Sequence, residues 1–198
     1  MGCGRAGAPR SDIDDGIAEH AMVVTAHPLA TEVGVAVLRE GGNAVDAAVA
    51  VHYALAVVLP WAGNIGGGGF MVVRTANGKV ITLDFRETAP MRASRDMFLD
   101  SAGVANPRLS QFGHLAVGVP GSVAGLQAAH DSLGSLPMAR LIQPAIDLAA
   151  MGFGLTAREA QRLNEALVGC VPAAPAPTPS PPSPIGVRVT ASGFRSWP

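Results

Sequence analysis

The sequence predicts a layered α/β chain of the α+β kind, in which helices stand on either side of a β-hairpin. Three observations predict it. The stretch AVDAAVAVHYALAVVL after Asn43 is apolar nearly all round, so it is a helix that other elements must enclose. Two β-type runs, FMVVRT and VITLDF, flank Asn77-Gly78, a pair that marks a hairpin because a type I′ turn needs positive φ at both central positions. Helical segments return after a loop, so the order is strand, two helices, hairpin, helices.

Taken in order, a polar leader to about His20 precedes a body from Ala21 to about residue 168, and a Pro-rich tail runs from Gly169 onward. The first twenty residues carry Asp12, Asp14 and Asp15 and no apolar core of the kind a secretory signal needs. Met22 to Thr25 is a short β-type run. A helix from about Leu29 to Arg39 places Val33, Val37 and Leu38 on one side, and Gly41-Gly42 ends it. Asn43 caps the apolar helix and Pro60 stops it. A loop from about Ala89 to Leu115 follows the hairpin. Helices are then expected from Gly121 to Leu133 and from Pro137 to Met151, with Thr156 capping a third. The tail VPAAPAPTPSPPSP favours extended polyproline conformation and reads as disordered.

Composition narrows the function classes. Hydrophobic residues make up 48% of the 198-residue chain and charged residues 15%, so much of the body is interior. The formal net charge is -1, with no basic stripe, which argues against nucleic acid or an anionic membrane as partner. The apolar stretch from Ala44 to Pro60 is interrupted by Asp46, His52 and Tyr53 and is too short to span a bilayer. Cys3 and Cys170 form neither a disulfide framework nor a metal knuckle.

Gly66 to Gly69 raises the question of a phosphate-cradling loop. A P-loop places Gly-Lys-Ser/Thr at the start of a helix, whereas Phe70 here opens a strand and no Lys is in position, so a tight turn with close backbone packing is the better reading. DFRETAP, Asp84 to Pro90, follows the second strand. Two readings of Arg86 stand side by side: a guanidinium that binds a ligand carboxylate through two parallel hydrogen bonds, or a surface ion pair with Asp84 or Glu87. His27, His52, His114 and His130 have no metal-ligand spacing and read as structural or solvent-facing, His52 as a neutral imidazole with one hydrogen bond. A buried Asp46 requires a helix N-terminus or another donor. Ser122, in VPGSVAG, lacks the strand-turn-helix elbow of a nucleophile, and no Ser/His/Asp set follows from spacing.

Five blocks in order resemble one family: LREGGNAVDAAVAV (Leu38–Val51), GNIGGGGFMVV (Gly63–Val73), LDFRETAP (Leu83–Pro90), VGVPGSVAG (Val117–Gly125) and QPAIDLAAMGF (Gln143–Phe153). From Met22 to about Asn164 the chain resembles the N-terminal part of the large subunit of gamma-glutamyltranspeptidase, also called glutathione hydrolase. That resemblance implies a partial αββα sandwich of the N-terminal-nucleophile (Ntn) hydrolase fold. It also implies glutathione or other γ-glutamyl compounds as substrates, no metal or organic cofactor, and acyl transfer from a nucleophilic Thr to water or an amino acid. It implies substrate binding by Arg86, matching the family arginine that holds the α-carboxylate, with Glu87 beside it as an orienting or substrate-binding residue. The family's nucleophile Thr with its Thr-His context, its serine pair and its oxyanion Gly-Gly have no counterpart here, so no catalytic residue is nominated. The expectation is a truncated fragment, inactive alone and completed by a small-subunit polypeptide. Alternatives are a non-catalytic large-subunit-like partner, or a fragment of a related cephalosporin-acylase-like Ntn hydrolase. Family members are often periplasmic or extracellular, which leaves the compartment undetermined.

Overall fold

The computed structural model describes residues 18–169, so the tail, both cysteines and most of the leader lie outside the described residues. Helix α1, Pro28–Arg39, starts with proline in its first turn and with His27 Nδ1 accepting the Leu29 amide at 3.2 Å. Its end is set by Gly41 at φ 91°: the Gly42 amide reaches the Val37 carbonyl and the Gly41 amide reaches that of Leu38, the paired bonds of a Schellman motif.

Two residues later Asn43 opens helix α2, Ala44–Val58, through a capping box in which its side chain accepts the Val45 and Asp46 amides while Asp46 Oδ2 accepts the Asn43 amide. This is the apolar helix of the sequence, and it is central. Val49, Ala50, Ala54 and Val58 are fully buried, and small side chains let its neighbours come close. Gly34 of α1 shows how close: a Cβ there would stand 2.7 Å from Val51 and 2.8 Å from Val23.

Asp46 is fully buried and is met by the expected donors. Its carboxylate accepts the Ser135 amide at 3.0 Å, the Ser135 hydroxyl at 2.5 Å and the Leu136 amide at 3.3 Å, besides the Asn43 amide at 2.8 Å. Burial alone would raise its pKa; these hydrogen bonds outweigh burial and hold it below the ordinary value. The acid thereby pins the Ser135–Leu136 segment to the start of α2.

Strands β1, Phe70–Arg74, and β2, Val80–Asp84, form the antiparallel hairpin, in a register pairing Phe70 with Asp84 and Arg74 with Val80. The turn differs from the type I′ expectation. Within the turn Gly78 alone has positive φ, 84°, and no non-glycine residue does among the described residues, so Asn77 does not take the left-handed position. The Gly78 amide closes on the Thr75 carbonyl at 2.9 Å, and Asn77 Oδ1 accepts the Lys79 amide, so the Asn side chain stabilises a longer loop instead of occupying a left-handed position. One face of the hairpin carries Met71, Val73 and Leu83 against the core, while Phe70 and Val72 on the other are 65% and 72% exposed.

A short helix α3, Pro107–Gln111, capped by Asn106, and a 3₁₀ turn at His114–Ala116 interrupt the stretch expected to be loop. Helix α4, Ser122–Leu133, helix α5, Met138–Met151, and helix α6, Ala157–Gly169, follow as expected. Thr156 and Glu159 form a second capping box at the start of α6. The main core joins Val37 of α1 with Val45, Ala47, Val49 and Ala50 of α2, Leu126 and Ala129 of α4, and Leu141 of α5.

Met22–Thr25 is a correction. The segment alternates exposed and half-buried residues as a strand does, yet it pairs with no strand among the described residues. Val23 packs beside Gly34, so burial of alternate side chains is satisfied without a ladder. The architecture is thus a mixed one, a helical layer around α2 with a small sheet laid against it.

Candidate functional site

The DFRE segment leaves the hairpin at Asp84 and is held from three directions. Phe85 continues the ladder by one pair, its amide donating to the Gly69 carbonyl at 3.0 Å and its carbonyl accepting the Gly69 amide at 3.3 Å. Its ring is buried against Gly125 of α4. Beyond Arg86 and Glu87, Thr88 exchanges both backbone hydrogen bonds with Val119, at 3.2 and 2.8 Å. Four residues after the strand are therefore stitched at both ends, and Arg86 has little backbone freedom.

Glycines make the third contact possible. A Cβ at Gly68 would lie 2.6 Å from the Phe85 carbonyl oxygen and 2.7 Å from both Arg86 Cα and the Glu87 amide nitrogen. No glycine from 66 to 69 has positive φ, so Gly67 to Gly69 serve close approach of backbones and not a left-handed turn. The Gly67 carbonyl accepts the Gly121 and Ser122 amides at 2.8 and 2.9 Å, which ties the glycine loop to the first turn of α4. Asn64 Oδ1 accepts the Gly67 amide at 2.8 Å and the hydroxyl of the fully buried Ser122 at 3.0 Å. That hydroxyl is engaged in structure, in keeping with its weak nucleophile context.

Arg86 and Glu87 lie together. Arg86 Nε donates to Glu87 Oε2 at 3.0 Å, and the Arg86 guanidinium carbon stands 5.7 Å from the centre of the Phe70 ring. Arg86 is 60% exposed at its side chain and Glu87 35%. The Glu87 carboxyl is held below its ordinary pKa by its own amide, by the Arg86 guanidinium and by the Gly68 amide. The ion pair foreseen as one reading of Arg86 is formed, with Glu87; Asp84 instead accepts the Arg86 backbone amide at 3.0 Å. The pair engages Nε, and no hydrogen bond from the two terminal amino groups occurs among the described residues. Those two groups form a fork matched to a carboxylate.

His52 Nε2 lies 3.1 Å from the Asn64 carbonyl oxygen, so its N–H donates there, and burial lowers its pKa and keeps it neutral. His27 sits between the α1 amides and Glu159, 3.3 Å from Nε2. His130 donates from Nε2 to the Leu136 carbonyl at 2.6 Å. No group of His, Cys, Asp and Glu able to hold a metal occurs among the described residues, and no described helix is long and apolar enough to cross a membrane. A separate open cleft of about 340 Å³ runs between the 22–25 segment and α2, lined by Val23, Thr25, Val51, His52 and Leu55 among others, and does not reach Arg86. Asn64, and Phe70 as a ring beside Arg86, were not singled out from sequence; the signal for Asn64 was its place three residues before a glycine, the spacing of a side chain that closes a turn.

Comparison with known proteins gives the same family from three directions. The family model described as Gamma-glutamyltranspeptidase matches residues 30–170. The chain is 54% identical over 136 residues to the glutathione hydrolase proenzyme of Escherichia coli strain K12, covering 69% of this chain and 23% of that protein. It superposes on the crystal structure of Helicobacter pylori gamma-glutamyltranspeptidase with a TM-score of 0.73 at 52% identity, covering 76% of this chain and 43% of that one. A cephalosporin acylase from Bacillus halodurans is also similar, with a TM-score of 0.63 at 30% identity over 72% of this chain and 26% of that one. The chain thus spans about a quarter of the length of the E. coli relative. Matched over most of the described residues, glycine loop and DFRE segment included, this chain belongs to the gamma-glutamyltranspeptidase family.

Proposed function

We propose that this chain supplies the carboxylate-binding wall of a γ-glutamyl site, with Arg86 holding the α-carboxylate of glutathione or another γ-glutamyl compound. One observation carries the reading: Glu87 holds the Nε edge of a guanidinium on a backbone stitched at both ends, while the two terminal amino groups keep their hydrogen-bonding capacity. Orientation is the chemical gain. A guanidinium fixed in this way binds a carboxylate with less loss of side-chain entropy than a free arginine, and an anchored α-carboxylate places the γ-carbonyl at a set distance for attack by a nucleophile. Glu87 takes part by orienting the guanidinium.

Hydrolysis or transfer of the γ-glutamyl group requires a nucleophile besides this wall, and in this reading a small-subunit polypeptide supplies it. In this reading the hairpin is one part of an αββα sandwich whose further layers cover Phe70 and Val72; their exposure supports it.

Titrating the full chain with L-glutamate and, separately, with γ-aminobutyrate, which lacks the α-carboxylate, tests the reading through the Arg86 Nε–Hε resonance. A shift with L-glutamate alone is expected; equal responses to both ligands would overturn it.

The likeness to a cephalosporin acylase favours a second reading, in which the acyl group has no α-carboxylate. Its signature is a response to acyl ligands lacking that group.

A further inference from the structure

We infer that Asn64 is a positioning residue for Arg86, acting through the glycine loop and Glu87; the inference rests on reading Arg86 as the carboxylate-binding group. Four hydrogen bonds converge on Asn64. Its Oδ1 accepts the Gly67 amide and the Ser122 hydroxyl, its Nδ2 donates to the Ala62 carbonyl at 3.2 Å, and its own carbonyl accepts from His52 Nε2. Its side chain thus joins the glycine loop to the first turn of α4, where Ser122 lies 58 residues further along the chain, while its backbone carbonyl holds α2 through His52.

The consequence for Arg86 follows step by step. With Gly67 drawn onto Asn64, the Gly67 carbonyl faces the Gly121 and Ser122 amides, and backbone from both sides closes on the Phe85–Glu87 segment. A side chain at Gly68 or Gly121 would strike the backbone of that segment. The next residue along the loop, Gly68, packs directly on the backbone of Phe85, Arg86 and Glu87, and Glu87 accepts from Arg86 Nε. Asn64 touches neither Arg86 nor Glu87 in any of these bonds. It sets the loop conformation that lays Gly68 on the backbone of Arg86 and Glu87, and Glu87 aims the guanidinium. Asn64 also lies flat on Gly67, where a Cβ would meet its side-chain amide group, so Gly67→Ala breaks the same link from the other side.

The test needs no ligand, so it stands apart from the substrate reading. In the ¹⁵N-labelled full chain, the hydrogen bond to Glu87 is expected to slow exchange of the Arg86 Nε–Hε proton relative to a free arginine. Asn64→Ala and Gly67→Ala are each expected to speed its exchange by about tenfold or more, while the amides of the Asn43–Asp46 capping box keep their protection. Asn64→Asp retains an acceptor oxygen for both Gly67 and Ser122 and is expected to stay within about twofold of the wild type. An unchanged Arg86 resonance in Asn64→Ala overturns the inference, and so does equal loss of protection at Arg86 and at the capping box, which would report general loosening. Should Asn64→Ala not fold, Ser122→Ala, which removes one of the two bonds to Oδ1, is read by the same criteria. Loss of the glutamate response in the wild-type chain, with the exchange effects intact, would remove the substrate reading and leave the positioning role standing.

Discussion

Replacing Asp46 with Asn keeps its shape and removes its charge, and the structure allows the effect to be worked out. Oδ1 accepts the Ser135 and Leu136 amides, and Oδ2 accepts the Asn43 amide and the Ser135 hydroxyl. An asparagine must turn its NH₂ toward one of these sets. The less unfavourable orientation puts it at the Oδ2 position, because the Ser135 hydroxyl can rotate and accept, yet the Asn43 amide is then left without a partner. A donor left unsatisfied at this half-buried position costs about 1 kcal/mol, the low end of the range for such groups, and the remaining bonds lose their charge assistance. The expected destabilisation is about 3 kcal/mol, or roughly 6–12 °C in melting temperature for a chain of this size. Thermal unfolding followed by circular dichroism measures it at neutral pH. Because the Asp46 carboxyl is held below its ordinary pKa of 3.8, its contribution is complete above that value and is lost as pH falls through the folded-state value. The gap between wild type and variant should therefore be constant from about pH 7 to pH 5 and narrow only below about pH 4. A shift under about 2 °C, or a gap that closes well above pH 5, would refute the view that this carboxylate clasps the α4–α5 connection to α2.

Further outcomes follow from other contacts. Gly68→Ala forces a Cβ into three backbone atoms that cannot move independently, so a loss of about 2–4 kcal/mol or failure to fold is expected, measured by urea unfolding against Gly66→Ala, which has open space around it. Glu159 closes the α6 capping box and faces His27, and its carboxyl is held below the ordinary 4.5 chiefly by the Thr156 amide and hydroxyl. Glu159→Gln should raise amide exchange in α6 at neutral pH, with wild type and variant converging as pH falls below about 4.5. Val72→Thr on the outer face of the hairpin removes exposed apolar surface without touching the core, and light scattering should show less self-association of the full chain.

How much of this was legible beforehand depended on the range of the interaction. The Gly41-Gly42 stop, the Asn43 cap, the enclosed character of α2, the hairpin and the Thr156 cap could be read because each is decided by residues within about four positions of one another. The turn type at Asn77-Gly78 was not, since the same dipeptide suits a two-residue turn and a longer loop, and strand register chose the longer one. Met22–Thr25 has the alternation of a strand, but a ladder needs a partner, and alternation says nothing of whether one exists. The helix at Pro107–Gln111 could have been read from its Asn-Pro start.

By itself, the sequence determined the local elements, the need of Asp46 for donors, and, through five ordered blocks, the family to which the chain belongs. Tertiary structure alone decided which donors Asp46 receives, that Gly67 to Gly69 serve close packing at right-handed or extended φ, and that Arg86 pairs with Glu87 through one edge only. The physical reason is distance along the chain. Ser135 lies 89 residues from Asp46 and Ser122 58 from Asn64, and no local propensity encodes a hydrogen bond whose two ends are brought together only when the helices pack.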